Sequence, residues 1–181
     1  MSQEHLADIV IRPAVETDAA TVAAIHVASW RDAYAQILSP EYLSGAIEAD
    51  RTAVWSRRLR ERPQGQLVDM AFDQAGQAQG FVCGFLDTDP VWGSLIDNLH
   101  VLPQTRSHGI GERLLRKAAG QLLAKGPGHG LHLWVFEANE AAVRFYKRLG
   151  GDVVEREVSK MPAAGGKPVL RIHWNSLAQM G

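Results

Sequence analysis

The chain has 181 residues, of which 46% are hydrophobic and 22% charged, and its 19 Lys and Arg against 20 Asp and Glu leave a net charge of −1. That balance belongs to a globular protein with a buried core and excludes a disordered or collagen-like chain; the length fits a single domain over 1–181. A near-neutral chain lacks the basic field of a general nucleic-acid binder, so no nucleic-acid partner is expected, although a small basic patch is compatible with these numbers. The one cysteine, Cys83, cannot close an internal disulfide and reads as a small apolar strand residue. Met1-Ser2-Gln3-Glu4-His5 has neither the basic nor the apolar region of a signal peptide. No uncharged apolar run approaches ~18 residues, so no membrane span is expected and a cytoplasmic location is the default.

The apolar run Asp8 to Arg12, stopped by Pro13, predicts a first strand. Thr17-Asp18 reads as a helix cap, and Val22, Ile25, His26 and Ser29 then recur at helical spacing, which predicts a helix from about Asp18 to Tyr34. Ser39-Pro40 starts another helix, carrying Tyr42, Leu43 and Ile47 and continuing through Val54, Trp55 and Leu59. Arg57, Arg58, Arg60 and Arg62 make its end basic, either as a solvated terminus or as a surface for a partner or substrate. Gln66 to Phe72 and Gly80 to Leu86 predict two strands joined by the turn Asp73-Gln74-Ala75-Gly76. Asp87 to Gly93, with Pro90, reads as a loop, and Leu95 to Val101 as a strand.

A polar turn from Gln104 to His108 leads into an amphipathic helix with Ile110, Leu114, Leu115, Ala118, Ala119 and Leu122 on one face, broken at Gly126-Pro127-Gly128. Leu131 to Phe136 is a strand. Asn139 opens a helix with Ala142, Phe145, Tyr146 and Leu149 on one face, ended by Gly150-Gly151. Val153 to Val158 and Pro168 to Trp174 are the last strands, joined by Ala163-Ala164-Gly165-Gly166. The order β-α-α-β-β-β-α-β-α-β-β is that of an α/β (α+β) protein with a central mixed sheet and helices on both faces.

The segment Asn98 to Gly111 carries the chemistry. It is a strand, a turn, and then Arg106-Ser107-His108-Gly109-Ile110-Gly111 at a helix start. A helix N-terminus presents unpaired N–H groups and partial positive charge, phosphate oxygens fit there, and glycines admit a pyrophosphate close to the backbone. Arg106 adds positive charge beside the loop. The dinucleotide fingerprint fails because its third glycine position is Leu114, and a Walker A loop fails because Gly166-Lys167 is followed by Pro168. On the two glycines alone a tightly packed strand-to-helix turn is equally compatible. His129-x-x-His132 is flanked by glycines, and no His-Glu-x-x-His or cysteine pair occurs, so no metal is expected.

Joined to Glu137-Ala138-Asn139, Ala142, Phe145-Tyr146 and Leu149-Gly150, this segment resembles the GNAT acetyltransferases, whose motifs read strand, Gln/Arg-x-x-Gly-x-Gly/Ala, helix, and then Asn-x-x-Ala-x-x-Phe-Tyr-x-x-x-Gly-Phe. The phrase His26 to Tyr34 is similar to a group of bacterial members of mixed or unknown substrate. Two departures stand out. Ser107 replaces a frequent glycine, which is tolerable at negative φ, and Gly151-Asp152 replaces the aromatic after the helix-ending glycine, which weakens a packing contact.

The resemblance implies a GNAT-like fold and transfer of acetyl from acetyl-CoA, as co-substrate, to a primary amine of a small molecule or peptide by direct attack. Backbone N–H groups from Arg106 through Ser107, His108, Gly109 and Ile110 to Gly111 would bind the pyrophosphate. The pantetheine arm would pair with the main chain of Leu99 and Val101 like an added strand, and the Leu99 N–H would stabilise the developing oxyanion. Tyr146 stands where the family places the thiolate's proton donor, or is a core aromatic. Asn139 is a cofactor contact, a helix cap, or both. The base is Asp97 or Glu137, acting directly or through water; alternation puts Asp97 on the face of Leu99, and turns His100 away unless a bulge intervenes. His26, Trp30 and Tyr34 are a packing stripe or one wall of the acceptor pocket. Family members often pair, which admits a homodimer. The rival reading is a non-catalytic acyl-CoA-binding or regulatory module on the same fold. The identity of the amine, from antibiotic to polyamine, amino acid or protein N-terminus, stays open, as does the acyl length.

Overall fold

A computed structural model describes residues 9–126 and 128–181; the expectations that fall on residues 1–8 and on Pro127 lie outside them. Among the described residues seven strands form one sheet: β1 (Val10–Pro13), β2 (Gln66–Phe72), β3 (Ala78–Asp89), β4 (Gly93–Val101), β5 (Leu131–Phe136), β6 (Asp152–Val158) and β7 (Pro168–Trp174). Their order is β1-β2-β3-β4-β5-β7-β6. Every neighbouring pair is antiparallel except β4 and β5. Helices α1 (Ala19–Ala33), α2 (Ile47–Glu61), α3 (Ile110–Lys125) and α4 (Glu140–Arg148) complete the predicted order. Among the described residues no helix is long and apolar enough to cross a membrane.

Period-2 alternation divides the core into two layers. Val82 and Ile96 face α3 and α4, where they meet Leu114, Leu115, Ala118, Tyr146 and Trp174. Val68, Met70, Phe81 and Cys83 face α1 and α2, where they meet Val22, Ile25, Trp55 and Leu59. The face of α3 predicted from its periodicity is the face it buries.

Local predictions fail where a long-range contact intervenes. Asp18 does not cap α1 forward; it reaches back, accepting from the Val15 N–H (2.8 Å) and pairing with Arg12 (2.8 Å). The α2 segment starts at Pro40, as expected, but with a widened π-type stretch over Tyr42–Ala46. Asp87 to Gly93 is no loop: β3 and β4 continue to a tight turn, where Asp89 accepts from the N–H groups of Val91 (2.8 Å) and Trp92 (3.0 Å) and so holds Pro90 in a turn the strands flank. The basic end of α2 is divided: Arg58 bonds Asp97 and Asn98 and Arg62 bonds the carbonyls of Leu59 and Ala14, whereas Arg57 and Arg60 are exposed. The packing contact thought weakened at Gly151 is supplied from β7. A Cβ at Gly151 would lie 2.7 Å from the Trp174 ring, which is buried there and donates its indole N–H to the Leu149 carbonyl (2.8 Å).

Candidate active site

β4 and β5 run parallel only through Ser94–Leu131, Leu95–His132 and Ile96–Leu133. Opposite β3, Cys83 pairs with Asn98 and Gly84 with Ile96, so Asp97 is the extra residue of a β-bulge. Past the bulge β4 leaves β5, and β5 keeps only β7 as partner. The Leu102 N–H donates to Gln79 on β3 (2.9 Å); by alternation the N–H groups of Leu99 and Val101 point the other way, into the gap. A cavity of about 720 Å³ occupies this gap and is lined by Leu99, Val101, the Arg106–Gly111 loop, Asn139 and Tyr146 among others.

The loop lines one end of this cavity. Gly109 has φ 75° with open space where a Cβ would stand, and its carbonyl accepts the first helical bond of α3 from Arg113 (3.0 Å). No group among the described residues accepts from the N–H of Ile110 or Gly111, as expected for a first helical turn. Ile110 lines the cavity, with its side chain packed in the core. His108 does not line the cavity; its Nδ1–H donates to the Arg106 (2.8 Å) and Thr105 carbonyls and pins the turn from outside.

One expectation about this loop is corrected. Ser107 has φ 67°, not a negative value, so the side chain that replaces glycine holds left-handed backbone at a cost of roughly 1–2 kcal/mol. A Ser107→Gly variant is expected to unfold about 1 kcal/mol later in urea with cofactor affinity undiminished; an unchanged midpoint would show that the strain is absorbed elsewhere. Arg106 lines the cavity beside the loop. Its guanidinium pairs with Asp32 of α1 and donates to Ser29 Oγ (3.3 Å), while Ser29 bonds His100 Nδ1 (3.0 Å). Arg106 therefore ties the loop to α1, a role that Ser29 and Asp32 complete and that no local pattern announced.

Tyr146 is buried at the cavity wall between Phe145 and Trp174, and no hydrogen bond of its hydroxyl is found among the described residues. Burial, reinforced by neighbouring Tyr34, pushes the hydroxyl above its ordinary range, so it stays protonated. Tyr34 also lines the cavity; burial raises it to about 12, with Asn139 and Arg106 pulling the other way. Asn139 caps α4 by accepting from the Ala142 N–H (3.3 Å) and lines the cavity as well, so both of its expected roles are geometrically open. Burial pushes the Cys83 thiol to about 12, which leaves it protonated and a poor nucleophile.

Asp97 lines the cavity but does not share the face of Leu99. The bulge resets the alternation, and its carboxylate meets Arg58 of α2 (2.7 Å). Glu137 is outside the cavity, half-exposed, and the adjacent Arg156 guanidinium (2.9 Å) holds its carboxyl below the usual range. Trp30 lines the cavity; His26, one turn earlier, does not, and lies fully buried with its Nδ1 accepting from the Trp55 indole (2.9 Å). Trp134 and Met161, which the sequence did not single out, join Trp30 and Tyr34 in the wall.

His100 stacks on His26 at 4.5 Å between their centroids, and both are buried. Burial first, then Arg106 and Arg51, lowers His100 to about 3, and burial with the His100 neighbour lowers His26 well below its ordinary value. The unfolded chain takes up these protons near pH 6.5, whereas the folded chain resists them to far lower pH. Stability is full above pH 6.5 and falls on acidification by about 1.4 kcal/mol per pH unit for each histidine. Urea midpoints from pH 7 to 4 should show this slope and a His100→Gln variant a shallower one; equal slopes would remove His100 from the effect.

With the geometry in hand, the family model described as the acetyltransferase (GNAT) family matches residues 27–151. The chain belongs to the GNAT family. Its fold is the family's: the PaiA N-acetyltransferase of Thermoplasma acidophilum, solved in complex with coenzyme A, superposes with a TM-score of 0.73 at 22% identity over 92% of this chain and 99% of that one. This GNAT protein is also 30% identical to a probable N-acetyltransferase of Mycobacterium tuberculosis, Rv2775, over 87% of its own length and 88% of the relative's. It is 27% identical to an uncharacterized N-acetyltransferase of Bacillus subtilis, YuaI, over 77% and 78%. The protein is an acetyltransferase.

Proposed function

We propose that this GNAT protein transfers the acetyl group of acetyl-CoA to a primary amine of a small molecule or peptide by direct attack. The observation that carries the reading is the parting of β4 from β5 at the Asp97 bulge. It places free main-chain donors, the α3 N-terminus and Tyr146 around one cavity. The coenzyme A complex of the Thermoplasma neighbour supports the same cofactor here.

Acetyl-CoA supplies the activated thioester. The N–H groups of Gly109, Ile110 and Gly111 would hold its pyrophosphate, where the room above Gly109 fits a close approach. The Leu99 and Val101 main chain would take the pantetheine arm as an added strand. The Leu99 N–H would then stabilise negative charge growing on the thioester oxygen. An alkylammonium of pKa about 10.4 must first lose a proton. Asp97, the expected base that lines the cavity, would receive it through water. The amine nitrogen bonds the acetyl carbon, the carbon–sulfur bond breaks, and the Tyr146 hydroxyl gives its proton to the departing sulfur and regains one from the nitrogen. The sum is amide, coenzyme A thiol and one released proton.

Calorimetry with acetyl-CoA followed by thiol release over a panel of amines tests the reading. Binding with turnover of at least one amine is expected. Binding with no turnover of any amine would favour the non-catalytic module, and no binding would end the cofactor assignment.

A further inference from the structure

The cavity lining includes five side chains that the cofactor assignments do not use, referred to together as its arm. Trp30 and Tyr34 reach it from α1, Trp134 and Phe136 from β5, and Met161 from the β6–β7 connection. That connection is hooked onto the segment after α1, where the Ser39 N–H donates to the Ala163 carbonyl (2.8 Å), and Met161 packs on the cluster holding Trp30 and Phe136. These five side chains are apolar or aromatic, and Ser159, which accepts from the Met161 N–H (3.2 Å), is their polar neighbour in the lining.

Its electrostatics narrow the occupant. Among the described residues, the carboxylates lining the cavity are Asp97 and Glu112, and each has a guanidinium, Arg58 at 2.7 Å and Arg116 at 2.8 Å. No unpaired carboxylate waits there for a second ammonium. The rings already carry cations, Arg51 5.0 Å over Trp30 and Arg171 4.4 Å over Trp134, and these guanidiniums in turn occupy the carboxylates of Asp50, Asp89 and Glu155. A second or third ammonium would enter this arm without a partner and pay its desolvation, whereas a ring or branched alkyl body gains by burial.

Resting on the reading above, we infer that the acceptor is a primary amine on one aromatic or bulky apolar body, of the arylalkylamine class, and not a polyamine. Met161 and Trp134 are then specificity-determining residues. The test is thiol release from acetyl-CoA with tryptamine, 2-phenylethylamine, cadaverine and spermidine, on the wild-type chain and on Met161→Glu and Met161→Leu. The aryl amines are expected to exceed both polycations in kcat/KM by roughly tenfold or more. Met161→Glu should lose a similar factor with tryptamine, Met161→Leu should not, and both should bind acetyl-CoA like the wild type, which also reports that they fold. Cadaverine or spermidine equal to or better than the aryl amines overturns the inference, as does full tryptamine turnover by Met161→Glu. Acetyl-CoA binding with no turnover of any of the four amines overturns the substrate class and leaves the cofactor cradle standing, whereas absence of acetyl-CoA binding removes the cradle and the inference together.

Discussion

Tyr146→Phe is expected to lower kcat by between about a hundredfold and ten-thousandfold, the usual worth of a positioned proton donor, with acetyl-CoA affinity unchanged. The substitution isolates the chemistry because the hydroxyl has no hydrogen bond among the described residues to lose, while the ring keeps its edge contacts with Phe145 (5.2 Å) and Trp174 (6.0 Å). Removing an unpaired buried hydroxyl costs the fold little. Burial and the neighbouring Tyr34 raise the hydroxyl's pKa, which suits a donor that must hold its proton until the thiolate forms and disqualifies it as the base. Rates at saturating acetyl-CoA, with affinity by calorimetry, decide the matter. An unaltered kcat would return Tyr146 to the core.

The second large effect is expected at Gly111. A Cβ there would sit 3.6 Å from Val101 and 3.7 Å from Phe145, which is ordinary contact, so Gly111→Ala should fold and bind acetyl-CoA nearly as the wild type does. Gly111→Glu adds a negative charge at the mouth of the cradle. Opposed to a phosphate about 5 Å away in a half-buried site, that charge costs about 3 kcal/mol, or about a hundredfold in affinity. Calorimetry on the two variants separates charge from bulk. If Glu weakens acetyl-CoA no more than Ala does, the pyrophosphate does not lie on this helix end.

Much of the site could be read locally because its parts are local. Gly109 must adopt positive φ to turn β4 into α3, and Asn139 caps α4 within its own first turn. Leu99 and Val101 came from the family resemblance, and the cross-strand bond from Leu102 to Gln79 fixes which way their N–H groups point. Ser107 misled for a reason the sequence does not contain: the loop's path between Arg106 and Gly109 demands φ 67° whatever residue stands there. His26 misled because helical spacing places it one turn from Trp30 without saying that Trp55, from α2, would claim its ring.

The order of elements, the buried stripe of α3 and the glycine turn before it were determined by the sequence alone, since period, capping and backbone freedom act between residues a few positions apart. Tertiary structure decided the rest. The bulge that sends Asp97 to Arg58, the tie from Arg106 to Ser29 and Asp32, and the wall that Met161 shares with Trp30 each join segments distant in the chain. Such contacts depend on how two packed layers settle against one sheet, a choice made by the whole core at once and by no single stretch of it.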